Sequence, residues 1–254
     1  MLDDHFHPDN WGVLPFFRIG PLSIPMYGFF VGLGIVIGIL VWFILREPSH
    51  KKDGGIVILA ALVGGTIGAK LPIVVLTLPY VLRTGNWSAL LSGRTITGGL
   101  IGAFIGVIVV KKLCKIEGRF GNPIAIGAAF GCAIGRLGCF CRGCCYGTQT
   151  SLPWGVNFGD GIPRHPTQLY EAAFFVVAGV IMLFFRKRAK PGQLMLIFVS
   201  TYFSVRFFEE FIRDPAVAPK AFGLTIFQWI CLAGLLLLAV KETVRKVRNH
   251  EQHQ

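Results

Sequence analysis

Several charged side chains of this sequence lie inside or at the ends of long apolar segments. Arg136, Arg206 and Glu210 are the clearest cases, and Arg142 and Arg164 follow Arg136 along the chain. A charge in a bilayer is costly and usually serves a site. The planar guanidinium group of arginine suits phosphate, and the phosphate found at that depth is a lipid head group. These residues therefore predict a site that binds lipid phosphate.

Polar residues around Arg206 are spaced as on one side of a helix. Tyr202, Arg206, Glu210 and Arg213 are separated by 4, 4 and 3 residues, which aligns them in a stripe. We expect this stripe to face a cavity or a partner, because the five arginines of the region have few carboxylates to neutralise them. The simpler alternative is that ion pairs such as Arg206 with Glu210 only hold the helices together.

Cysteines are concentrated directly after Arg136. Four of the seven, namely Cys139, Cys141, Cys144 and Cys145, lie within seven residues. They fit disulfides in an oxidising compartment, or a site for a soft metal such as zinc or copper(I), although the spacing is not that of a zinc finger. They also fit a reactive thiolate activated by nearby arginines, for which Cys144 is the candidate. Simple packing is the fourth interpretation.

The elements that must position these residues are membrane helices. The mean hydropathy is +0.62 and 15% of the residues are charged, against roughly a quarter in soluble domains. Each spanning helix needs about 20 apolar residues. We predict an all-α membrane protein with a single integral-membrane domain over residues 1–254. Its seven predicted spans cover residues 24–45, 55–81, 97–110, 122–139, 168–185, 194–211 and 222–240.

Basic residues cluster after the odd-numbered spans and in the C-terminal tail. By the positive-inside rule these loops and the C-terminus are cytoplasmic, and the N-terminus is outside. The charged residues inside the later spans then lie near the outer leaflet. The net charge of +12 reflects this topology, and we expect no binding to nucleic acid.

Five segments, in order along the chain, resemble the prolipoprotein diacylglyceryl transferase family. The resemblance implies a multi-pass enzyme of the bacterial inner membrane. It would transfer the diacylglyceryl group of phosphatidylglycerol to the lipobox cysteine thiol of a preprolipoprotein, with no cofactor, so that its partners are these two substrates and membrane lipid. The segments are Tyr27-Gly28, Thr97-Gly98-Gly99-Leu100-Ile101-Gly102, Gly135-Arg136-Leu137-Gly138, the run from Pro163 to Glu171 and the run from Arg206 to Pro215.

The resemblance also implies roles for single residues. Arg136 and Arg206 match the family's two essential arginines and would hold the phosphate. Tyr27, Glu210 and Gly147 fall on motif positions, and we take Tyr27 and Glu210 as catalytic candidates. To the lipid-phosphate site we add Arg142, Arg164, Gly98 and Gly99.

Three positions depart from the family pattern. Thr97 stands where the family has a histidine, and Cys139 and Cys144 replace an asparagine and a glutamate. With that histidine absent, His165 is the only imidazole that we consider as a proton acceptor.

These departures keep an alternative function open. A paralogue with the family fold would use the cysteine cluster to bind or transfer a thiophilic metal or a redox equivalent. A transporter for a small anion is a third hypothesis, in which the arginines form a selectivity ring, although no inverted repeat is visible.

Overall fold

The computed structural model describes residues 12–48, 52–91, 93, 95–213 and 220–251. These residues form seven α-helices, one 3-10 helix and three short antiparallel β-hairpins. The helices are α1 (Met26–Leu45), α2 (Gly54–Thr84), α3 (Ile96–Leu113), α4 (Gly121–Arg142), α5 (Thr167–Phe185), α6 (Gln193–Glu209) and α7 (Ile226–Glu251), with the 3-10 helix at Trp87–Leu91. The hairpins pair β1 (Phe16–Ile19) with β2 (Leu22–Pro25), β3 (Val156–Asn157) with β4 (Pro163–Arg164), and β5 (Lys220–Ala221) with β6 (Leu224–Thr225).

The helices have the length and surface of a membrane protein. Among the described residues, six helices are long and apolar enough to cross a bilayer. The exception is α6, which has 17 residues. Large apolar side chains such as Phe184 and Leu237 are 81% and 70% exposed, as expected where lipid is the solvent. The prediction of an all-α membrane protein is confirmed, while the crossing by α6 and the orientation of the termini stay predictions.

Three helices begin or end at other residues than the predicted spans. The first span was expected to begin at residue 24, but Ile24 and Pro25 belong to β2. The seventh was expected to begin at Phe222, but Phe222 and Gly223 have φ values of 52° and 81°, which form the turn of the third hairpin and are incompatible with an α-helix. Helix α6 ends at Glu209 rather than residue 211, and the chain beyond it pairs with Gly147.

Glycines bring two pairs of helices into close contact. A Cβ atom on Gly98 of α3 would lie 2.3 Å from the carbonyl oxygen of Gly68 in α2, and one on Gly127 of α4 would lie 2.5 Å from that of Gly38 in α1. Only glycine allows backbones to approach so closely, and such contacts stabilise helix pairs in lipid. In each pair, residues further along one helix contact residues earlier in the other helix, so both pairs are antiparallel.

Helix α4 packs against α1, α5 and α6 and supplies much of the core. Its buried residues Ala125, Ile126 and Ala129 contact a cluster that includes Phe175 of α5 and Phe198 of α6. Small residues on α4 leave room for the aromatic rings of its neighbours.

The directions of α4, α5 and α6 bring three chain segments to one end of the bundle. Near the starts of α4 and α6, the backbone N–H of Leu194 donates to Oδ1 of Asn122 at 3.0 Å, so these two helices run in parallel. Helix α5 runs the opposite way. The ends of α4 and α6 therefore meet the start of α5.

Candidate active site

A group of six buried charged residues lies where α4, α5 and α6 meet. Each of the six is at most 7% exposed, and charges removed from water need partners to offset their desolvation. The group, called here the charged cluster, consists of Arg136, Glu171, Arg206, Glu209, Glu210 and Arg213.

Glu171 links the two arginines that the sequence placed in the site. Its Oε2 atom forms an ion pair with Nη2 of Arg136, and its Oε1 atom lies 4.0 Å from Nε of Arg206. The first turns of α5 thus bridge the ends of α4 and α6. One carboxylate fixes the relative positions of the two guanidinium groups.

Arg206 continues the cluster along its own segment. Its Nη2 atom lies 2.5 Å from Oε2 of Glu210, and its Nη1 atom lies 3.5 Å from Oε2 of Glu209. Arg213, past the end of the helix, has its Nε atom 3.9 Å from Oε2 of Glu210. Burial lowers the pKa of Arg213, but negative charge at Cys145, Glu209 and Glu210 raises it above its ordinary value overall.

The expectation that these arginines have few carboxylates is therefore wrong. Glu171, Glu209 and Glu210 balance the three buried arginines, and the Arg206–Glu210 ion pair of the simpler alternative is present. The predicted single stripe is also modified, because Glu210 and Arg213 lie beyond the last helical residue of α6.

Ion pairing does not use all the hydrogen-bond donors of the cluster. In the described part of the chain, Nε of the buried Arg136 has no hydrogen-bond acceptor, and Nη1 of Arg206 and Nε of Arg213 have only the ion-pair contacts given above. Carboxylate oxygens of Glu171, Glu209 and Glu210 likewise accept no hydrogen bond. Buried donors without acceptors are rare in proteins and call for an explanation. An anionic ligand with several oxygens would satisfy donors on more than one arginine.

The hydroxyl groups of Thr97 and Tyr202 border the charged cluster on the side of α3. Oγ1 of Thr97 lies 3.4 Å from Oη of Tyr202, and both residues are buried. Tyr202 also stacks on Phe175 with ring centroids 5.5 Å apart. The threonine that replaces the family histidine therefore contacts the tyrosine one helical turn before Arg206.

Tyr27 lies in the first turn of α1, next to the turn of α4 that follows Arg136. A Cβ atom on Gly138 would lie 3.1 Å from the carbonyl oxygen of Tyr27. The glycine in the Gly135-Arg136-Leu137-Gly138 element thus allows the start of α1 to approach this end of α4. Gly147 has a similar function in the following loop, since a Cβ there would lie 2.5 Å from the carbonyl oxygen of Ile212.

Three of the four clustered cysteines come together beside Arg136. The Sγ atoms of Cys139, Cys144 and Cys145 all lie within 4.8 Å of one another, and we call these residues the thiol triad. Nη1 of Arg136 lies 4.0 Å from Sγ of Cys139. No disulfide joins any two of the seven cysteines, so the structure does not contain the bridges of the disulfide interpretation.

Charge and hydrogen bonding distinguish Cys144 and Cys145, the two cysteines of the triad that lie in the loop after α4. Hydrogen bonds from the thiols of Cys139 and Cys144 lower the pKa of Cys145 well below its ordinary value, and Arg213 and Arg136 act in the same direction. Hydrogen bonds to Cys139 and Cys145 raise the pKa of Cys144. Negative charge in the triad is therefore favoured at Cys145, whereas sequence reasoning selected Cys144.

Cys141 does not join the triad, although it lies in the same stretch of sequence. It is two residues after Cys139 on α4, which turns it about 200° around the helix axis. Its carbonyl oxygen accepts a hydrogen bond from the backbone N–H of Leu14 at 3.0 Å, so this turn of α4 packs against the segment before β1.

The two outer arginines predicted to bind phosphate occupy other surroundings. Arg142 is in the last turn of α4, six residues after Arg136 and about 240° around the helix from it. Nη2 of Arg164 in β4 lies 2.7 Å from Oδ2 of Asp160. Partial burial raises the pKa of Asp160, but the hydrogen bond and charge of Arg164 together with backbone hydrogen bonds outweigh it, and the pKa is lowered. The ion pairs that join the six residues of the charged cluster include neither Arg142 nor Arg164.

His165 is held by aromatic neighbours outside the charged cluster. Its Nδ1 atom lies 3.2 Å from Oη of Tyr170, and that oxygen accepts a hydrogen bond from Nε1 of Trp154 at 2.9 Å. The hydrogen bond between Nδ1 of His165 and the Tyr170 hydroxyl, whose donor is set by the tautomer of the histidine, gives the imidazole a structural partner. The described contacts connect His165 to this loop and to none of the six cluster residues.

Gly98 and Gly99 face helix α2 instead of the arginines. The nearest atoms to a Cβ on Gly99 would be Cβ of Ala69 at 3.4 Å and the oxygen of Gly65 at 3.5 Å, and Gly98 packs on Gly68 as described above. Packing accounts for both glycines, so we leave them out of the candidate site.

Four residues near the site were missing from the sequence-based set. Glu171 and Glu209 belong to the charged cluster. Gln168 and Thr167, at the start of α5, donate hydrogen bonds of 2.5 Å to the carbonyl oxygens of Cys144 and Cys145. The two glutamates could have been selected from the sequence, because each is a charged residue in an apolar segment. The contacts of Thr167 and Gln168 could not, because no sequence periodicity pairs a loop carbonyl with a side chain 22 or 24 residues away.

Comparison with known proteins gives one consistent result. The family model described as prolipoprotein diacylglyceryl transferase matches residues 15–241. Relatives named phosphatidylglycerol-prolipoprotein diacylglyceryl transferase cover most of the chain. One from Geobacter sulfurreducens is 32% identical over 260 residues, covering 91% of this chain and 96% of the relative. One from Wolbachia pipientis wMel is 34% identical over 216 residues, covering 78% and 81%, and one from Cupriavidus metallidurans is 32% identical over 247 residues, covering 88% and 89%.

Proposed function

Because this chain belongs to the prolipoprotein diacylglyceryl transferase family, we propose that it transfers the diacylglyceryl group of phosphatidylglycerol to the lipobox cysteine thiol of a preprolipoprotein. The match over residues 15–241 and the names of the relatives support this activity over the alternative of a paralogue without transferase function.

The reaction exchanges one bond to carbon for another. The acceptor thiol loses its proton, and its sulfur attacks the glyceryl carbon that carries the phosphate ester. A C–S thioether bond forms while the C–O bond breaks. The electron pair of the broken bond stays on the phosphate oxygen, so the head group leaves as glycerol phosphate, and the proton of the thiol ends on this phosphate or in solvent water.

The buried arginines are suited to the leaving group of this reaction. Negative charge grows on the phosphate oxygens as the C–O bond breaks, and fixed cationic donors in a site that excludes water stabilise that charge. The observation that supports the assignment is the pair Arg136 and Arg206 held by Glu171, with Nε of Arg136 lacking an acceptor. Each guanidinium has a carboxylate that fixes its position, and Nε of Arg136 is a donor available to phosphate.

Glu210 and Tyr27 have supporting places in this mechanism. Glu210 lies 2.5 Å from Arg206 and 3.9 Å from Arg213, and it therefore orients two guanidinium groups. Tyr27 lies in the first turn of α1, beside the turn of α4 that follows Arg136. We treat both as positioning residues.

We infer further that all seven helices cross the inner membrane of a bacterium, with the N-terminus outside and the C-terminus in the cytoplasm. At 1.5 Å per residue, the 17 residues of α6 extend about 26 Å, close to the hydrocarbon thickness of about 30 Å. The basic loops after α3 and α5 meet at one end of the bundle, where Nη1 of Arg119 donates to the oxygen of Pro191 at 3.1 Å. With that end in the cytoplasm, the charged cluster lies toward the outer leaflet.

A lipidation assay tests this function. Full-length protein in phosphatidylglycerol vesicles receives a lipobox peptide, and the same peptide without its cysteine serves as the control. We expect the mass of the first peptide to increase by one diacylglyceryl group and glycerol phosphate to appear in equal amount. An unmodified peptide, with the protein folded and its thiols reduced, would refute the proposal.

A further inference from the structure

We propose that the thiol triad of Cys139, Cys144 and Cys145 is a binding site for one thiophilic d10 metal cation, of the class of Zn²⁺, Cd²⁺ and Cu(I). This site goes beyond the transferase activity, and neither the family match nor the names of the relatives assign it. Soft thiolate ligands select metals of this class.

The spacing of the sulfur atoms fits coordination of a single ion. Metal–sulfur bonds of about 2.3 Å at trigonal to tetrahedral angles place the sulfurs about 3.8–4.0 Å apart. The three Sγ atoms lie within 4.8 Å of one another, so a small contraction brings all three onto one centre. A disulfide joins only two sulfurs, at about 2.05 Å, and leaves the third unexplained.

The backbone that carries the two loop cysteines is held in place by buried side chains. Cys145 has a φ of 64°, a left-handed conformation that a non-glycine residue keeps only where its surroundings impose it. Gln168 and Thr167 fix the carbonyl groups of Cys144 and Cys145. The conformation therefore presents Cys145 to the other two thiols on a rigid support, as metal ligands require.

Positive charge beside the triad compensates for the charge of three thiolates. A divalent cation with three thiolates has a net charge of −1, and a monovalent cation leaves −2. Nη1 of Arg136 lies 4.0 Å from Sγ of Cys139, and the guanidinium of Arg213 interacts electrostatically with Cys145. A buried anionic centre is stable only with such partners.

Three protein ligands leave one coordination position for a further ligand, as in catalytic zinc sites. The triad therefore differs from a closed structural site with four protein ligands. Among the described residues, no fourth histidine, cysteine or carboxylate belongs to the same group of ligand atoms.

Direct metal titration of the full-length protein tests the proposal without using lipidation. The protein is reduced in lipid nanodiscs, freed of reductant and titrated with Cd²⁺, and thiolate-to-cadmium charge-transfer absorption is recorded. We expect saturation at one equivalent, displacement by Cu(I), and no displacement by Mg²⁺. Absence of the absorption band in reduced protein would overturn the proposal and leave the transferase activity untouched.

Cys141 supplies a matched control from the same stretch of sequence. We expect Cys144→Ser and Cys145→Ser to weaken Cd²⁺ binding at least about tenfold, and Cys141→Ser to bind like wild type. Equal loss in Cys141→Ser and Cys144→Ser would overturn the assignment of the triad.

A second measurement avoids variants that fail to fold. Wild-type protein is treated with a thiol-alkylating reagent with and without Zn²⁺, and the modified cysteines are located by mass spectrometry. We expect Zn²⁺ to protect Cys139, Cys144 and Cys145 while Cys114, which is exposed, reacts equally in both samples. Equal alkylation of the triad in both samples would contradict the site.

Discussion

Glu171 forms an ion pair with Arg136 across the interface of α5 and α4, and both side chains are almost completely buried. The second oxygen of the carboxylate faces Arg206. The first turns of α5 thereby determine the separation of the two guanidinium groups that we assign to the lipid phosphate.

Replacement of Glu171 is expected to destabilise the protein strongly. Glu171→Ala leaves the charge of Arg136 buried without a partner, which costs about 3–5 kcal/mol in the free energy of unfolding. Glu171→Gln keeps the shape and hydrogen-bonding capacity, so its loss is expected to be smaller. Thermal unfolding in detergent, followed by tryptophan fluorescence, measures both variants.

Asp160→Ala is the control for Glu171. It removes the carboxylate of a more exposed ion pair with Arg164, and surface pairs contribute about 0–1 kcal/mol. If Asp160→Ala and Glu171→Ala lowered the unfolding temperature equally, the Arg136–Glu171 pair would not have the structural importance assigned to it.

Substitutions at Gly98 and Gly99 test whether these glycines serve helix packing or phosphate binding. A Cβ on Gly98 meets the oxygen of Gly68 at 2.3 Å, whereas one on Gly99 finds ordinary contacts at 3.4 and 3.5 Å. Gly98→Ala is expected to lower the free energy of unfolding by about 1–3 kcal/mol or more, and Gly99→Ala to have little effect. The reverse order in thermal unfolding would contradict the packing of α2 on α3.

The Thr97–Tyr202 contact is measured by a double-mutant cycle. Thr97→Val and Tyr202→Phe each remove one partner of the 3.4 Å contact, and a buried hydrogen bond contributes about 0.5–1.5 kcal/mol. We expect the double variant to lose less stability than the sum of the two single variants. Strict additivity would show that the hydroxyl groups do not interact.

His165 is expected to be dispensable for the reaction. General acid–base catalysis contributes about 10²–10⁴-fold, so His165→Asn should lower kcat by that amount if the imidazole accepts the proton of the acceptor thiol. Because Tyr170 and Trp154 hold His165 outside the charged cluster, we expect kcat to change by less than about threefold. A hundredfold loss would return His165 to the catalytic residues.

The sequence was sufficient to predict the helices and the main arginines. Apolar segments, several of them interrupted by a charge, predicted the seven helices, and the cost of a charge in lipid singled out Arg136 and Arg206, which the structure brings together at Glu171. These signals are local, since each depends only on the residues of one segment.

Contacts between segments were the part that sequence reasoning missed. The partner of Arg136 is on another helix, and nothing local to Glu171 distinguishes that pairing from one with any other arginine. The sequence also did not show which cysteines form the thiol triad, because the four neighbouring cysteines cannot be told apart in sequence. In the structure, the end of α4 and the left-handed conformation of Cys145 separate Cys141 from the other three. Gly98 looked like a ligand-binding glycine because its packing partner is on α2.

The most direct test of the transferase site compares Arg136→Gln with Arg142→Gln in the lipidation assay. Both variants remove one guanidinium from the same helix, but only Arg136 belongs to the charged cluster with Glu171 and Arg206. We expect Arg136→Gln to lower the rate of thioether formation and of glycerol phosphate release at least about 100-fold. Arg142→Gln should stay within about threefold of wild type. Equal rates for wild type and folded Arg136→Gln would contradict the assignment of the lipid phosphate to this cluster.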